Sequence, residues 1–121
     1  MNQIDASVWS GSMTFDEYQS AARETAQYPD MGRNVCYPTL GLAGEAGEVA
    51  EKIKKLMRDD GGRLTDERRD ALHKELGDVL WYVAALCSEL DVSMSDVAER
   101  NIAKLRDRRG RGAIRGDGDD R

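Results

Sequence analysis

The chain reads as an all-α protein, a four-helix bundle, and three observations carry that expectation. Apolar residues recur at three- and four-residue steps through its long segments. Helix-capping signals open three of those segments. No alternating apolar pattern of useful strand length occurs.

Thr14 and Glu17 stand at capping-box spacing and predict a first helix running to about Gln27. Pro29, Gly32 and Pro38 mark a loop, which holds Cys36 and Tyr37 at the border of a possible pocket. A second helix is expected from Thr39 or Leu40 to about Arg58, with Leu42, Ala46, Val49, Ile53 and Leu56 on its buried face. Asp59, Asp60, Gly61 and Gly62 end it. Thr65 caps a third helix that continues to about Leu90, with Leu72, Leu76, Val79, Val83, Leu86 and Leu90 as its stripe. Ser93 and Asp96 open a fourth, which ends near Gly110.

With 121 residues the chain suits one domain, taken as residues 1–110, followed by a Gly-, Arg- and Asp-rich tail at 111–121. A core of this size is modest, so oligomerisation is plausible. The net charge of −5 argues against binding a nucleic acid polymer, since phosphate neutralisation needs a basic surface. Cations nevertheless gather between Arg100 and Arg115, which leaves room for a local anion site. No apolar run approaches bilayer length and no signal segment opens the chain, so no membrane partner is expected. Cys36 and Cys87 have no metal-type partners and make no disulfide framework, which suits a reduced cytoplasmic protein. His73 is the only histidine, so a zinc site built on histidines is nearly excluded, and a surface position suits it.

Glu45 and Glu48 stand three residues apart on the second helix, and Glu75 and Asp78 repeat the spacing on the third. Each pair therefore falls along one flank of its helix's apolar stripe. Two antiparallel helices packed by those stripes can bring four carboxylates to one seam. Their mutual repulsion calls for a compensating cation, and a hard divalent ion with oxygen ligands, magnesium above all, meets the need. Gly44, Gly47 and Gly77 each precede an acidic residue. A helical glycine costs roughly 1 kcal/mol relative to alanine, so close approach by a neighbouring helix or ligand is the expected return, with a frayed or kinked first turn as the alternative.

The stretch GLAGEAGEV from Gly41 to Val49, followed by ELGD from Glu75 to Asp78, resembles the MazG-type all-α NTP pyrophosphatases. Their pattern is Glu-x-x-Glu, a variable spacer, then Glu-x-x-Asp, and the resemblance extends over roughly residues 14 to 110. It implies a MazG-like, oligomeric helical bundle, a homodimer or homotetramer, whose four carboxylates Glu45, Glu48, Glu75 and Asp78 hold Mg2+. It further implies cleavage of a nucleoside triphosphate between the α and β phosphates, giving a monophosphate and pyrophosphate. One glutamate would position or deprotonate the attacking water; Glu48 is favoured for that role, with Glu45 as the second catalytic candidate.

The MazG-type pattern also places Asn-x-x-Lys-Leu and a following Arg after the acidic pairs, and Asn101, Lys104, Leu105 and Arg108 match it. These polar groups lie beside Val97 and Leu105 and suit triphosphate oxygens, or else reach past the core into solvent. Lys52, one turn after Glu48, can pair with that glutamate or touch phosphate. Trp81 lies off the main stripe, where a helix–helix or subunit contact is expected and a nucleobase platform is the sharper alternative. Tyr82, one turn after Asp78, borders the pocket or packs, and Tyr18 and Gln19 contact base or sugar or join the core. Arg115 or Arg121 in the tail can reach phosphate if the tail folds over the nucleotide, and a solubilising tail is the rival reading.

Nucleotide-pool housekeeping is the expected activity. A narrower dUTP, dCTP or phosphoribosyl-ATP pyrophosphohydrolase is the near alternative, and a non-catalytic helical interaction module the distant one. A carboxylate-bridged redox bundle is disfavoured, because no glutamate has a histidine three residues on.

Overall fold

The capping box at the start of the first helix forms as its spacing requires. Thr14 Oγ1 accepts from the Glu17 amide at 3.1 Å, and Glu17 Oε1 accepts from the Thr14 amide at 3.0 Å. In the computed structural model, which describes residues 11–111, this box opens α1 (Phe15–Thr25). Three more helices follow: α2 (Cys36–Asp59), α3 (Asp66–Glu89) and α4 (Met94–Gly110), with no strand among the described residues. The all-α four-helix expectation is met. The tail at 112–121, with Arg115 and Arg121, lies outside the described residues.

The second helix begins three to four residues earlier than the sequence suggests, so Cys36 and Tyr37 belong to its first turn and not to the preceding loop. Pro38 is the third helical residue, where its missing N–H has no intrahelical partner to lose. Asn34 Oδ1 accepts from the Tyr37 amide at 3.1 Å, doing the work of a cap. Gly61 and Gly62, both at positive φ, let the chain reverse after α2, and the Gly62 amide closes on the Leu56 carbonyl at 3.2 Å. Arg68 Nε then bonds Asp60 Oδ2 at 2.7 Å and fastens the turn to α3.

α2 and α3 form the principal helical pair, α1 packs on α3, and α4 packs mainly on α1. One core cluster joins Ala22 of α1, Ala84 and Cys87 of α3 and Met94 of α4, with Tyr18, Trp81 and Val83 against it. A second unites Ala26, Tyr28 and Ala85, and Trp81 touches both. Trp81 Nε1 donates to Thr25 Oγ1 at 2.9 Å, so the residue is a helix–helix contact between α3 and α1. Not every member of the predicted stripes is covered. Ile53, Leu76 and Leu90 are exposed, as are Leu40 and Met57, because a single copy of the chain brings no helix over them.

Glu89, which the sequence does not single out, holds the α1–α2 connection. Its side chain is fully shielded and accepts from the Tyr28 hydroxyl at 2.5 Å and from the Gly32 and Asn34 amides at 2.8 and 3.4 Å. Arg23 stands 3.6 Å away. Burial alone would raise its pKa, but these donors and the Arg23 charge outweigh it and leave the carboxyl below its ordinary value.

Candidate metal centre

Glu45 on α2 and Glu75 and Asp78 on α3 come together. Each offers one carboxylate oxygen, and the three oxygens lie within 4.8 Å of one another. Oxygens bound to one magnesium at about 2.1 Å stand no more than about 4.2 Å apart, so small side-chain rotations suffice to bring all three onto one cation. Glu45 and Glu75 are half-buried and Asp78 is exposed. Burial, then the Asp78, Glu75 and Glu48 carboxylates, hold the Glu45 carboxyl above its ordinary value. An all-oxygen, acidic and partly desolvated donor set suits a hard divalent cation.

Glu48 is the exception to the four-carboxylate expectation. It stands outside the converging trio and is exposed, though close enough to act on Glu45. Three residues turn a helix through about 300°, so Glu48 points some 60° away from Glu45 around the α2 axis. Lys52 pairs across to α3 and not with Glu48 on its own helix: Nζ lies 3.4 Å from Glu75 Oε1.

Two tyrosines border the trio. Burial first, and then the Asp78 charge, raise the Tyr18 pKa. Burial, Tyr37, Glu45 and Asp78 do the same to Tyr82. Tyr37 itself stacks on Tyr28, with centroids 4.8 Å apart and planes within 10°.

The other expected ligand contacts are placed elsewhere. Gln19 Nε2 donates to the Val92 carbonyl at 2.9 Å and to Ser88 Oγ at 3.3 Å, and its Oε1 accepts from the Met94 amide at 2.8 Å. Its amide is thus engaged in shaping the α3–α4 turn. Trp81, as described above, is engaged between helices. On α4, Asn101 is exposed, Lys104 half-buried and Arg108 buried, and the packing of that helix is chiefly with α1, not with the α2–α3 seam. His73 is exposed, as expected.

The glycines correct one half of a further expectation, the approach of a neighbouring helix. A Cβ built on Gly44, Gly47 or Gly77 would meet nothing within 4 Å, so no neighbouring helix approaches them. Close approach occurs one turn earlier, at Gly41, where a Cβ would overlap the Tyr82 ring. The sequence signal for Gly41 was present in the three-residue recurrence of glycine from 41 to 47, but periodicity cannot say which glycine faces α3.

An all-helical fold with three carboxylates converging on the α2–α3 seam is the class that fold and site define. Residues 38–111 match the MazG nucleotide pyrophosphohydrolase domain, a span covering both acidic pairs and most of the helical structure. The chain belongs to this family, whose general activity is nucleotide pyrophosphohydrolysis, and a nucleotide is the substrate class that goes with it. It is also 52% identical over 114 residues to the Gene 37 protein of Mycobacterium phage L5, a match covering 90% of this chain and all of that protein. No solved structure matches. No described helix is long and apolar enough to cross a membrane.

Proposed function

We propose that the protein hydrolyses nucleoside or deoxynucleoside triphosphates to the monophosphate and pyrophosphate, in a magnesium-dependent reaction that serves nucleotide-pool housekeeping. The observation that carries this reading is the convergence of Glu45, Glu75 and Asp78 from two helices onto one point. Those three residues would hold the cation, which when bound neutralises phosphate charge and acidifies a coordinated water. Lys52 keeps part of the trio's charge balanced through Glu75. Glu48, exposed and close enough to act on Glu45, would orient the attacking water and accept its proton. Tyr18 and Tyr82 stand close enough to feel the charge of these acids.

The family motif suggests triphosphate contacts for Asn101, Lys104 and Arg108, yet α4 does not pack along the acidic seam of its own chain. A homodimer or homotetramer reconciles the two, with α4 of one copy serving the seam of another. The exposed Leu40, Met57 and Leu76 supply apolar surface for such an assembly. A cytoplasmic setting suits both the substrate and the exposed Cys36 thiol.

The deciding experiment incubates the purified protein with magnesium and a panel of canonical and modified triphosphates, and measures pyrophosphate and orthophosphate separately. Equimolar monophosphate and pyrophosphate, dependent on magnesium, is the expected result. Turnover of a single triphosphate would mark a dUTP, dCTP or phosphoribosyl-ATP specialist. Magnesium binding with every triphosphate left intact would mark a non-catalytic interaction module and refute the proposal.

A further inference from the structure

Gly41 of α2 and the Tyr82 ring of α3 are in close contact, and the contact flanks the carboxylates on both helices. Gly41 precedes Glu45 by four residues, and Tyr82 follows Asp78 by four. Each is therefore about 6 Å, one helical turn, from a member of the trio. A Cβ on Gly41 would overlap Cε1, Cζ and Cδ1 of the Tyr82 ring. The ring is backed by Trp81, edge-on at 5.0 Å with planes at 87°, and Trp81 is itself anchored to Thr25 and packed in both core clusters. Pressure from α2 is thus transmitted through the ring to a half-buried, hydrogen-bonded neighbour.

We propose that the Gly41–Tyr82 contact is a steric spacer that sets the α2–α3 separation at the carboxylate trio, making Tyr82 a positioning residue for cation binding. The proposal rests on the metal reading above. The trio needs such a device because its acids repel one another, and only apposition of the helices keeps Glu45 within reach of Glu75 and Asp78. The oxygens lie within 4.8 Å of one another, and one cation spans only oxygens about twice its bond length apart, so a widening of the helices uncouples Glu45 from α3. The phenolic oxygen has no part in this role; the ring does.

The test titrates the full-length protein with magnesium chloride by calorimetry and follows helical content by circular dichroism. Gly41→Ala should weaken magnesium binding roughly tenfold, the scale typical of groups that orient metal ligands, while helical content stays near wild type. Tyr82→Phe should bind as wild type. Tyr82→Ala, which removes the ring, should weaken magnesium binding to a similar degree with helical content near wild type, so that Phe but not Ala substitutes for the tyrosine. Unchanged affinity in Gly41→Ala or in Tyr82→Ala overturns the spacer. An independent readout is the ring-current shift of the Gly41 Hα protons in the metal-free protein. Its presence in the wild type and loss in Tyr82→Leu are expected, and its absence from the wild type overturns the contact. If the shift is present but the wild type binds no magnesium, the metal reading is what has failed, and the proposed role falls with it.

Discussion

Asp78→Asn should strengthen the metal-free fold while destroying the site. Three carboxylate oxygens within 4.8 Å repel in pairs, and Lys52 relieves only the Glu75 member. For two unit charges at that distance the Coulomb energy is about 0.9 kcal/mol in water and about 3.5 kcal/mol at an effective dielectric of 20. Asp78 is exposed, so the watery limit is the relevant one. The same crowding shows in the Glu45 carboxyl, which burial and then the Asp78, Glu75 and Glu48 carboxylates hold above its ordinary value. Removing the Asp78 charge should therefore stabilise the metal-free protein by about 1 kcal/mol, or about 4 °C in Tm for a domain of this size. Magnesium should then raise the Tm of the wild type and leave the variant unmoved. Paired thermal scans with and without magnesium read both effects. A lower metal-free Tm in Asp78→Asn, or a magnesium-induced rise equal to the wild type's, would refute the repelling, cation-binding seam.

Other substitutions separate the scaffold from the site. Glu89→Gln removes a buried charge with four partners and should cost about 3 kcal/mol, measurable by urea denaturation at pH 7. Because the folded pKa of Glu89 is depressed, its contribution is fully present above the ordinary value of 4.5 and is lost as pH falls through the lower folded value. The stability gap between wild type and Glu89→Gln should accordingly narrow only below about pH 4.5; a gap that narrows between pH 7 and 5 contradicts the assignment. Gly44→Ala, which meets no neighbour, should stabilise by roughly 1 kcal/mol and leave magnesium affinity alone, in contrast to Gly41→Ala on the same helix. Gln19→Ala should lower stability by about 2 kcal/mol by stripping the α3–α4 turn of its partners, with no change in the Michaelis constant if the residue is structural. A raised Michaelis constant at unchanged stability would return Gln19 to the substrate site.

The fold class and the acidic motif were both legible in the chain because each depends on local geometry. N-caps at Thr14, Thr65 and Ser93 and the three- and four-residue apolar recurrence act within one helix, and they locate α1, α3 and α4 to within about two residues. Glu45, Glu75 and Asp78 were legible for the same reason, since helical spacing alone puts each on the flank of an apolar stripe. The early start of α2 was not legible. Pro38 signals a break to any local reading, and only the Asn34 side chain, held by the Pro29 carbonyl, turns it into a first-turn proline.

What only the tertiary structure decided is how the helices face one another. It separated Glu48 from the other acids, moved Lys52 from its own helix to Glu75, engaged Gln19 and Trp81 inside the fold, and made Gly41 the point of close approach in place of Gly44 and Gly47. The physical reason is one of scale. Periodicity determines the direction of a side chain about its own helix axis, whereas which side chains meet depends on the crossing and rotation of two helices. Those are set by packing among residues distant in the chain, such as Ala22 with Ala84 and Tyr28 with Glu89.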